Sequence, residues 1–258
     1  MNIYDRKKLY NKNAIITGGS NGIGKAIAKS FAKEGANLII TYYKDKVAAD
    51  RIIEEIEEFG TKIKSIQIDL SITNNVNNLI NESLNFLGKI DILINNVGLT
   101  TRTDFIEITE EQYDIVLATN LKSPFFLTQI VSKHMIKNKI KGSIINISSI
   151  SSRKSISRIA HYQCSKAALS MLTKSVAYEL APYGIRVNTI SPGLTATNGN
   201  LNQWKDNPEL WSYRCKDIPI GRAGIPEDHA GAAVFLASDV ASWITGSDIV
   251  IDGGESTI

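Results

Sequence analysis

Only two cysteines, three histidines and six prolines occur in the 258 residues, and these scarcities narrow what the chain can be. Cys164 and Cys215 make no framework of the kind that staples small secreted domains, so a reducing, cytoplasmic setting is expected. His134, His161 and His229 stand far apart, with no cysteine or carboxylate at ligand spacing, so a metal site is not expected. No apolar run approaches the ~18 residues of a membrane span. The first residues, Met1-Asn2-Ile3-Tyr4-Asp5-Arg6-Lys7-Lys8, lack the apolar stretch of a secretory leader. A large charge of one sign is missing as well. The formal net charge is +3, which points to neither nucleic acid nor an anionic membrane as partner. No linker, repeat or low-complexity segment divides residues 1–258, which read as one domain with ample core.

What is present is an alternation. Short β-branched runs at Ala14–Thr17, Leu38–Tyr42, Ile63–Ile68, Ile90–Ile94, Ser143–Ser148, Arg186–Ile190 and Asp248–Ile251 have strand length. Between them lie amphipathic patterns near 22–34, 46–59, 73–87, 110–136, 161–181 and 226–237. That order predicts an α/β fold, a parallel sheet covered by helices on both faces. Thr109-Glu110-Glu111-Gln112 has the form of a capping box, and Pro226-Glu227-Asp228 that of a first helical turn. An irregular insertion at about 192–221, carrying Trp204, Trp211 and Tyr213, has the length of a functional loop or lid.

Two stretches carry chemistry. In Ala14-Ile15-Ile16-Thr17-Gly18-Gly19-Ser20-Asn21-Gly22-Ile23-Gly24, an apolar strand runs through a glycine-rich turn into a helix. Such a turn lets the backbone approach an anion, and the helix start offers free N–H groups. The spacing is Gly-x-x-x-Gly-x-Gly rather than the commoner Gly-x-Gly-x-x-Gly. The second stretch is Tyr162-x-x-x-Lys166 on a helix, where positions four apart share a face and set an ammonium beside a phenol. A tyrosine near its ordinary pKa of ~10 is a poor base at neutral pH, and a neighbouring cation would bring its proton nearer to transfer.

Thr17 to Gly24, Asp69-Leu70, Asn95-Asn96-Val97-Gly98, Asn120, Asn146-Ile147-Ser148-Ser149, Tyr162-x-x-x-Lys166 and Ser191-Pro192-Gly193 follow one another in a familiar order. So do Ile218-Pro219-Ile220-Gly221-Arg222 and the C-terminal run Ile244 to Gly254. Throughout its length the chain resembles the short-chain dehydrogenase/reductase family, and in particular the branch of 3-oxoacyl-carrier-protein reductases and glucose 1-dehydrogenases. One departure is Val97, where the family usually has alanine. The resemblance implies a Rossmann-type, doubly wound parallel sheet of seven strands in the order 3-2-1-4-5-6-7.

The resemblance also implies roles. Tyr162 would give or take the hydroxyl proton while hydride moves to or from a nicotinamide. Lys166 would bind the nicotinamide ribose and depress the Tyr162 pKa, Ser149 would hydrogen-bond the substrate oxygen, and Asn120 would extend a proton relay from the lysine. Ser148, one strand position earlier, should face away. Gly18, Ser20, Asn21, Gly22, Ile23 and Gly24 would cradle the pyrophosphate and adjacent ribose. Asp69 and Leu70 would meet the adenine, and Asn96, Val97 and Gly98 the adenine-side ribose. Pro192, Gly193, Thr195 and Thr197 would hold the carboxamide and phosphate.

Cofactor choice turns on the end of the second strand, Thr41-Tyr42-Tyr43-Lys44, which has no acid before Asp45. Lys44 could pair with a 2′-phosphate, which favours NADP(H) over NAD(H) by about two to one; Asn21, where NADP-users often carry a cation, argues the other way. The expected substrate is a ketone or secondary alcohol of a small polar metabolite. A 3-oxoacyl thioester on a carrier protein is the alternative, with Lys137, Lys139 and Lys141 as docking cations, although Tyr183 stands where such reductases often place an arginine. A catalytically silent dinucleotide-binding regulator is the third reading. Arg153 and Arg158 are expected to flank the substrate pocket and to favour an anionic or highly polar substrate. A homo-oligomer, tetramer or else dimer, would form through helices near 110–136 and 161–181 and the C-terminal segment.

Overall fold

The computed structural model describes residues 7–257. Met1 to Arg6 lie outside the described residues, and the reading of that stretch with them. Seven parallel strands, β1 (Asn13–Ile16), β2 (Asn37–Tyr42), β3 (Ile63–Gln67), β4 (Ile92–Asn95), β5 (Ser143–Ile147), β6 (Arg186–Pro192) and β7 (Asp248–Ile251), pair in the order β3-β2-β1-β4-β5-β6-β7. The register sets Ile15 beside Ile39 and Leu93, and Leu93 beside Ile144. Successive side chains along a strand point to opposite faces, so these central runs are apolar throughout because both faces are covered.

On one face Ile16, Ile40, Ile94 and Ile145 pack against Ile27 and Phe31 of α1 (Gly22–Lys33), Ile52 and Ile56 of α2 (Lys46–Glu57) and Leu236 of α9 (Glu227–Ala237). On the other, Ile15, Ile39, Leu93 and Ile144 meet Leu79 of α3 (Asn75–Leu87), Leu127 and Val131 of α5 (Ser123–Lys137) and Ala177 of α6 (Ala160–Leu180). Full burial of each such aliphatic side chain contributes roughly 1.5–3 kcal/mol.

At the carboxyl ends of β4 to β6 the interior turns polar. Asn95 Nδ2 donates to Asn146 Oδ1 at 2.8 Å and to Thr128 Oγ1 at 3.1 Å. Asn146 Nδ2 in turn donates to Thr173 Oγ1 at 2.8 Å, and the Thr189 hydroxyl reaches the same threonine at 2.9 Å. Buried donors must be paired to be tolerated, so this chain of bonds fixes β4, β5 and β6 against α5 and α6. The next residues along each strand belong to the site.

The helical pattern near 110–136 is α4 (Glu110–Leu117), a π-turn at Ala118–Lys122, and then α5. Two expectations need correction. The insertion is not an irregular loop: it contains α7 (Leu201–Trp204) and α8 (Pro208–Lys216), and Trp204 Nε1 donates to the Thr197 carbonyl at 2.9 Å. Lys137, Lys139 and Lys141 lie at the last turn of α5 and in the link to β5, hence at the amino ends of the strands, the far side of the sheet from a ligand. The capping box does form, Thr109 Oγ1 accepting from Gln112 N at 3.3 Å and Gln112 Oε1 accepting from Thr109 N at 3.3 Å.

Among the described residues no helix is long and apolar enough to cross a membrane, no cluster of three or more His, Cys, Asp or Glu could hold a metal ion, and Cys164 and Cys215 are both free. Apolar side chains remain exposed along the α4–α6 side, Phe105, Ile106, Tyr113, Phe125, Met171 and Tyr178 among them.

Candidate active site

Beyond the carboxyl ends of the strands lies a groove of about 730 Å³, walled by the glycine turn, the ends of β2 to β6 and the insertion. A smaller cavity of about 300 Å³ between α1 and α9 holds no comparable set of polar groups.

The glycine turn is tied down from both sides. Gly18 N donates to Thr41 Oγ1 at 3.0 Å, and Asn96 Nδ2 donates to the carbonyls of Thr17 at 2.9 Å and Gly18 at 3.2 Å. Gly18 has φ +63°, a conformation that disfavours side chains, and a Cβ at Gly24 would fall 2.3 Å from the Gly18 carbonyl oxygen. Gly24 therefore lets α1 approach the turn and does not itself line the groove. Asn21, preceding α1, makes no side-chain cap. The first N–H groups of α1 are thus free toward the groove, where Ser20, Asn21, Gly22 and Ile23 line the wall. Asn198 of the insertion donates to Asn21 Oδ1 at 3.2 Å, closing that side.

At the other end stand Ser149, Tyr162 and Lys166, all lining the groove. The Lys166 ammonium is buried, donates to the Ile147 carbonyl at 2.8 Å and sits 5.7 Å from the centre of the Tyr162 ring. Burial pulls its pKa down to about 8. Gly98 lies directly against it: a Cβ there would meet Lys166 Nζ at 3.3 Å. Burial also pushes the Tyr162 phenol up, and a hydrogen bond from Ser149 pulls the other way. The expectation that Lys166 depresses the phenol is not met: burial and the Ser149 hydrogen bond are what act on it. The lysine's ammonium is engaged by a strand carbonyl and itself strained toward neutrality, and burial of the phenol is the larger effect.

Asn120 does not line the groove; it lies fully buried behind it, inside the π-turn. Its Oδ1 accepts from Leu99 N at 2.7 Å, while Nδ2 donates to the Leu99 carbonyl at 2.9 Å and to Ser165 Oγ at 3.0 Å. The side chain thus clamps the segment after β4 onto α6 beside Lys166. π-Turns recur at functional positions because they break the helical hydrogen-bond ladder. Ser148 bonds into α6, to the Lys166 carbonyl at 3.0 Å and Ser170 Oγ at 2.8 Å, whereas Ser149 Oγ accepts from Ser151 N at 3.1 Å.

A family model described as enoyl-(acyl carrier protein) reductase matches residues 18–256. The chain is 38% identical to the L-rhamnose 1-dehydrogenase (NADP(+)) of Thermoplasma acidophilum over 94% of this chain and 95% of that protein. A solved short-chain type dehydrogenase/reductase from Mycobacterium marinum superposes with a TM-score of 0.92 at 33% identity, covering 100% of both chains. A Beutenbergia cavernae protein proposed as an NAD(P)-dependent gluconate 5-dehydrogenase, solved with NADP at low occupancy, gives 0.91 at 31% identity over 98% and 99% of the two chains. This chain belongs to the short-chain dehydrogenase/reductase family. It is an NAD(P)-dependent enzyme of that family.

In this short-chain dehydrogenase/reductase, Tyr42, Asp69, Leu70, Val97, Gly98, Pro192, Gly193, Thr195 and Thr197 also line the groove. Asp69 Oδ1 is committed to Ser71, at 2.9 Å from its N and 2.6 Å from its Oγ. Lys44 does not line the groove: the chain bends after β2, and the ammonium rests 4.9 Å over the Tyr43 ring. Nor do Arg153 and Arg158, which pair with Asp248 and Asp104 respectively. Arg102 and Arg214 line it instead. The position of Arg102, a few residues past β4, was a signal in the sequence, since ligands gather beyond strand ends. Arg214 had none, because nothing in the insertion's sequence said which of its side chains turn inward.

Behind the groove, buried His229 lies 3.0 Å from Thr195 Oγ1, and Thr195 donates to the Gly193 carbonyl at 3.0 Å. Both contacts hold when His229 Nε2–H donates to the threonine, leaving Nδ1 without a partner. Burial lowers its pKa to about 4. Above the ordinary value near 6.5 the ring is neutral folded or unfolded; below it only the unfolded chain takes the proton, so stability falls until about pH 4. Between about pH 7 and pH 5 this group should cost roughly 2 kcal/mol. Urea unfolding at both pH values should show that much less loss in His229→Gln than in the wild type, and equal losses would refute the neutral buried ring.

Proposed function

We propose that this enzyme interconverts a secondary alcohol and a ketone on a small polar metabolite, with Tyr162 as the proton donor or acceptor. The observation that carries this reading is that Tyr162, Lys166 and Ser149 open into the same groove as the glycine turn and the free start of α1. The donors suit a dinucleotide: unpaired N–H groups at a helix start for a pyrophosphate, and space that Cβ atoms at Gly18 and Gly98 would narrow. A nicotinamide bound there supplies the hydride acceptor or donor. Lys166 would hold its ribose hydroxyls with the ammonium donors that the Ile147 carbonyl leaves free. Ser149 hydrogen-bonds the substrate oxygen as charge develops on it. Asn120 holds the Gly98–Leu99 backbone and α6 in register, so that the lysine stays in place.

Because burial raises the phenol, Tyr162 is protonated at neutral pH and serves as acid for carbonyl reduction. Oxidation needs the phenolate and should speed up as pH rises, with reduction slowing. Tyr162→Phe should lower kcat in both directions by about 10²–10⁴-fold while NADPH still binds, as read by nucleotide fluorescence. Retained turnover would remove Tyr162 from the chemistry. Loss of all turnover in the wild type, with NADPH bound, would favour the silent regulator.

For the cofactor, the end of β2 presents no carboxylate to repel a 2′-phosphate, and the Lys44 ammonium rests on the ring of Tyr43, which lines the groove. We assign a modest preference for NADP(H), with NAD(H) also used. The ratio of kcat/KM should favour NADP(H) by less than about tenfold and fall in Lys44→Ala; a hundredfold preference for NAD(H) contradicts the assignment. The 3-oxoacyl thioester alternative loses its proposed docking surface, since Lys137, Lys139 and Lys141 lie at the opposite end of the strands. The exposed apolar side chains along α4 to α6 support assembly into a homo-oligomer, tetramer or dimer, and a monomeric mass in light scattering would refute it.

A further inference from the structure

Arg102 and Arg214 reach the groove from different walls: one from the segment after β4, the other from α8 of the insertion. The segment is pinned on both sides of Arg102. Thr101 Oγ1 lies 2.7 Å from Nε2 of buried His161, the residue before Tyr162, and Thr103 N donates to the Arg158 carbonyl at 3.0 Å. These two contacts set Arg102 beside the start of α6, at the Tyr162 end of the groove. Opposite it, Arg214 Nη1 donates to Gln203 Oε1 at 2.9 Å, another groove residue, and its guanidinium stacks 5.7 Å over the Trp211 ring.

Among the described residues neither arginine forms an ion pair, whereas Arg153, Arg158 and Arg222, which stand outside the groove, each do. The carboxylates that line the groove are engaged elsewhere: Asp69 by Ser71, and Glu255 Oε2 by Leu194 N at 2.8 Å. Burial, and after it the like charges of Arg214 and Arg158, disfavour the protonated form of Arg102. Two like charges brought together over a groove, with aromatic and amide support for one of them, form a receptor that is complete only with an anion. Guanidinium presents a fork of N–H donors that matches a carboxylate or phosphate in two-point fashion.

We propose that Arg102 and Arg214 bind an oxyanion carried by the substrate, so that the metabolite is a hydroxy or keto acid, or a phosphate ester of a hydroxy or keto compound. This rests on the oxidoreductase reading of the same groove. The reaction leaves the anionic group unchanged: the carbinol gives its hydroxyl proton to the Tyr162 phenolate and a hydride that a bound oxidised nicotinamide would accept, leaving the ketone. The anion fixes which carbon faces Tyr162.

The test is a steady-state panel of aldonates, sugar phosphates, and neutral aldoses and polyols of matching configuration, run on wild type, Arg102→Gln, Arg214→Gln and Arg102→Lys. The best anion should exceed its neutral counterpart at least tenfold in kcat/KM, and whether it is a carboxylate or a phosphate identifies the group. Each glutamine variant should raise KM for that anion at least tenfold with a much smaller effect on kcat, the lysine variant should recover part of it, and added salt should raise KM in the wild type. Neutral substrates matching the anions, or glutamine variants that shift KM equally for both, would overturn the inference and leave the oxidoreductase reading intact. No turnover of any member, with NADPH bound, would instead count against that reading and the inference together.

Discussion

A lysine ammonium held 2.8 Å from the last carbonyl of a central strand is the constraint around which this site is built. Burying a cation is costly, and the cost appears in a pKa drawn down to about 8. What keeps the charge there is a set of neighbours with few alternatives. Gly98 leaves the space beside it, Asn120 clamps Leu99 from a π-turn, and Ser148 ties the lysine's own helical carbonyl to the strand end. The carbonyl of Ile147 takes one of the ammonium's three N–H donors, and a buried cation with a lowered pKa in a cleft is the kind of group that clusters at functional sites.

The polar network behind the floor explains how the fold tolerates it. Asn95, Asn146, Thr173 and Thr189 pair with one another across β4, β5, β6 and α6, so the strands that deliver Gly98, Ser149 and Pro192 are locked in register. The other end of the groove works by different physics: free backbone donors and close backbone approach at the glycine turn, in place of buried charge. On the proposed function, one end would receive phosphate through the main chain and the other the reacting atoms through side chains. The insertion joins the two walls, bonded at Asn198 to the turn and contributing Arg214 to the groove.

Much of this was legible in the residues. The β-branched runs gave every strand to within two or three positions, because strands covered on both faces must be apolar at every step. The glycine turn and the Tyr162–Lys166 pair were readable because each needs particular residue types at particular spacings. Less was readable where function depends on the direction of a long side chain. Lys44, Arg153 and Arg158 looked well placed along the chain, yet bends and nearby partners (Tyr43, Asp248, Asp104) turn them away from the groove. Periodicity also could not show the π-turn at Asn120, since one extra residue hardly perturbs a helical pattern, nor that burial would raise the phenol. Both depend on three-dimensional surroundings that no local window contains.

Lys166 is a strained, buried cation, and its proton linkage measures that strain. A lysine whose pKa is lowered in the folded state releases its proton there first, so folding gains stability as pH rises from about 8 toward the ordinary value of 10.5. Unfolding free energies of the wild type and of Lys166→Met, measured near pH 7 and near pH 9.5, should therefore diverge. The wild type should gain about 2 kcal/mol relative to the variant over that interval. A difference that stays constant would mean that the ammonium is comfortably solvated and that the site is not built around a strained charge.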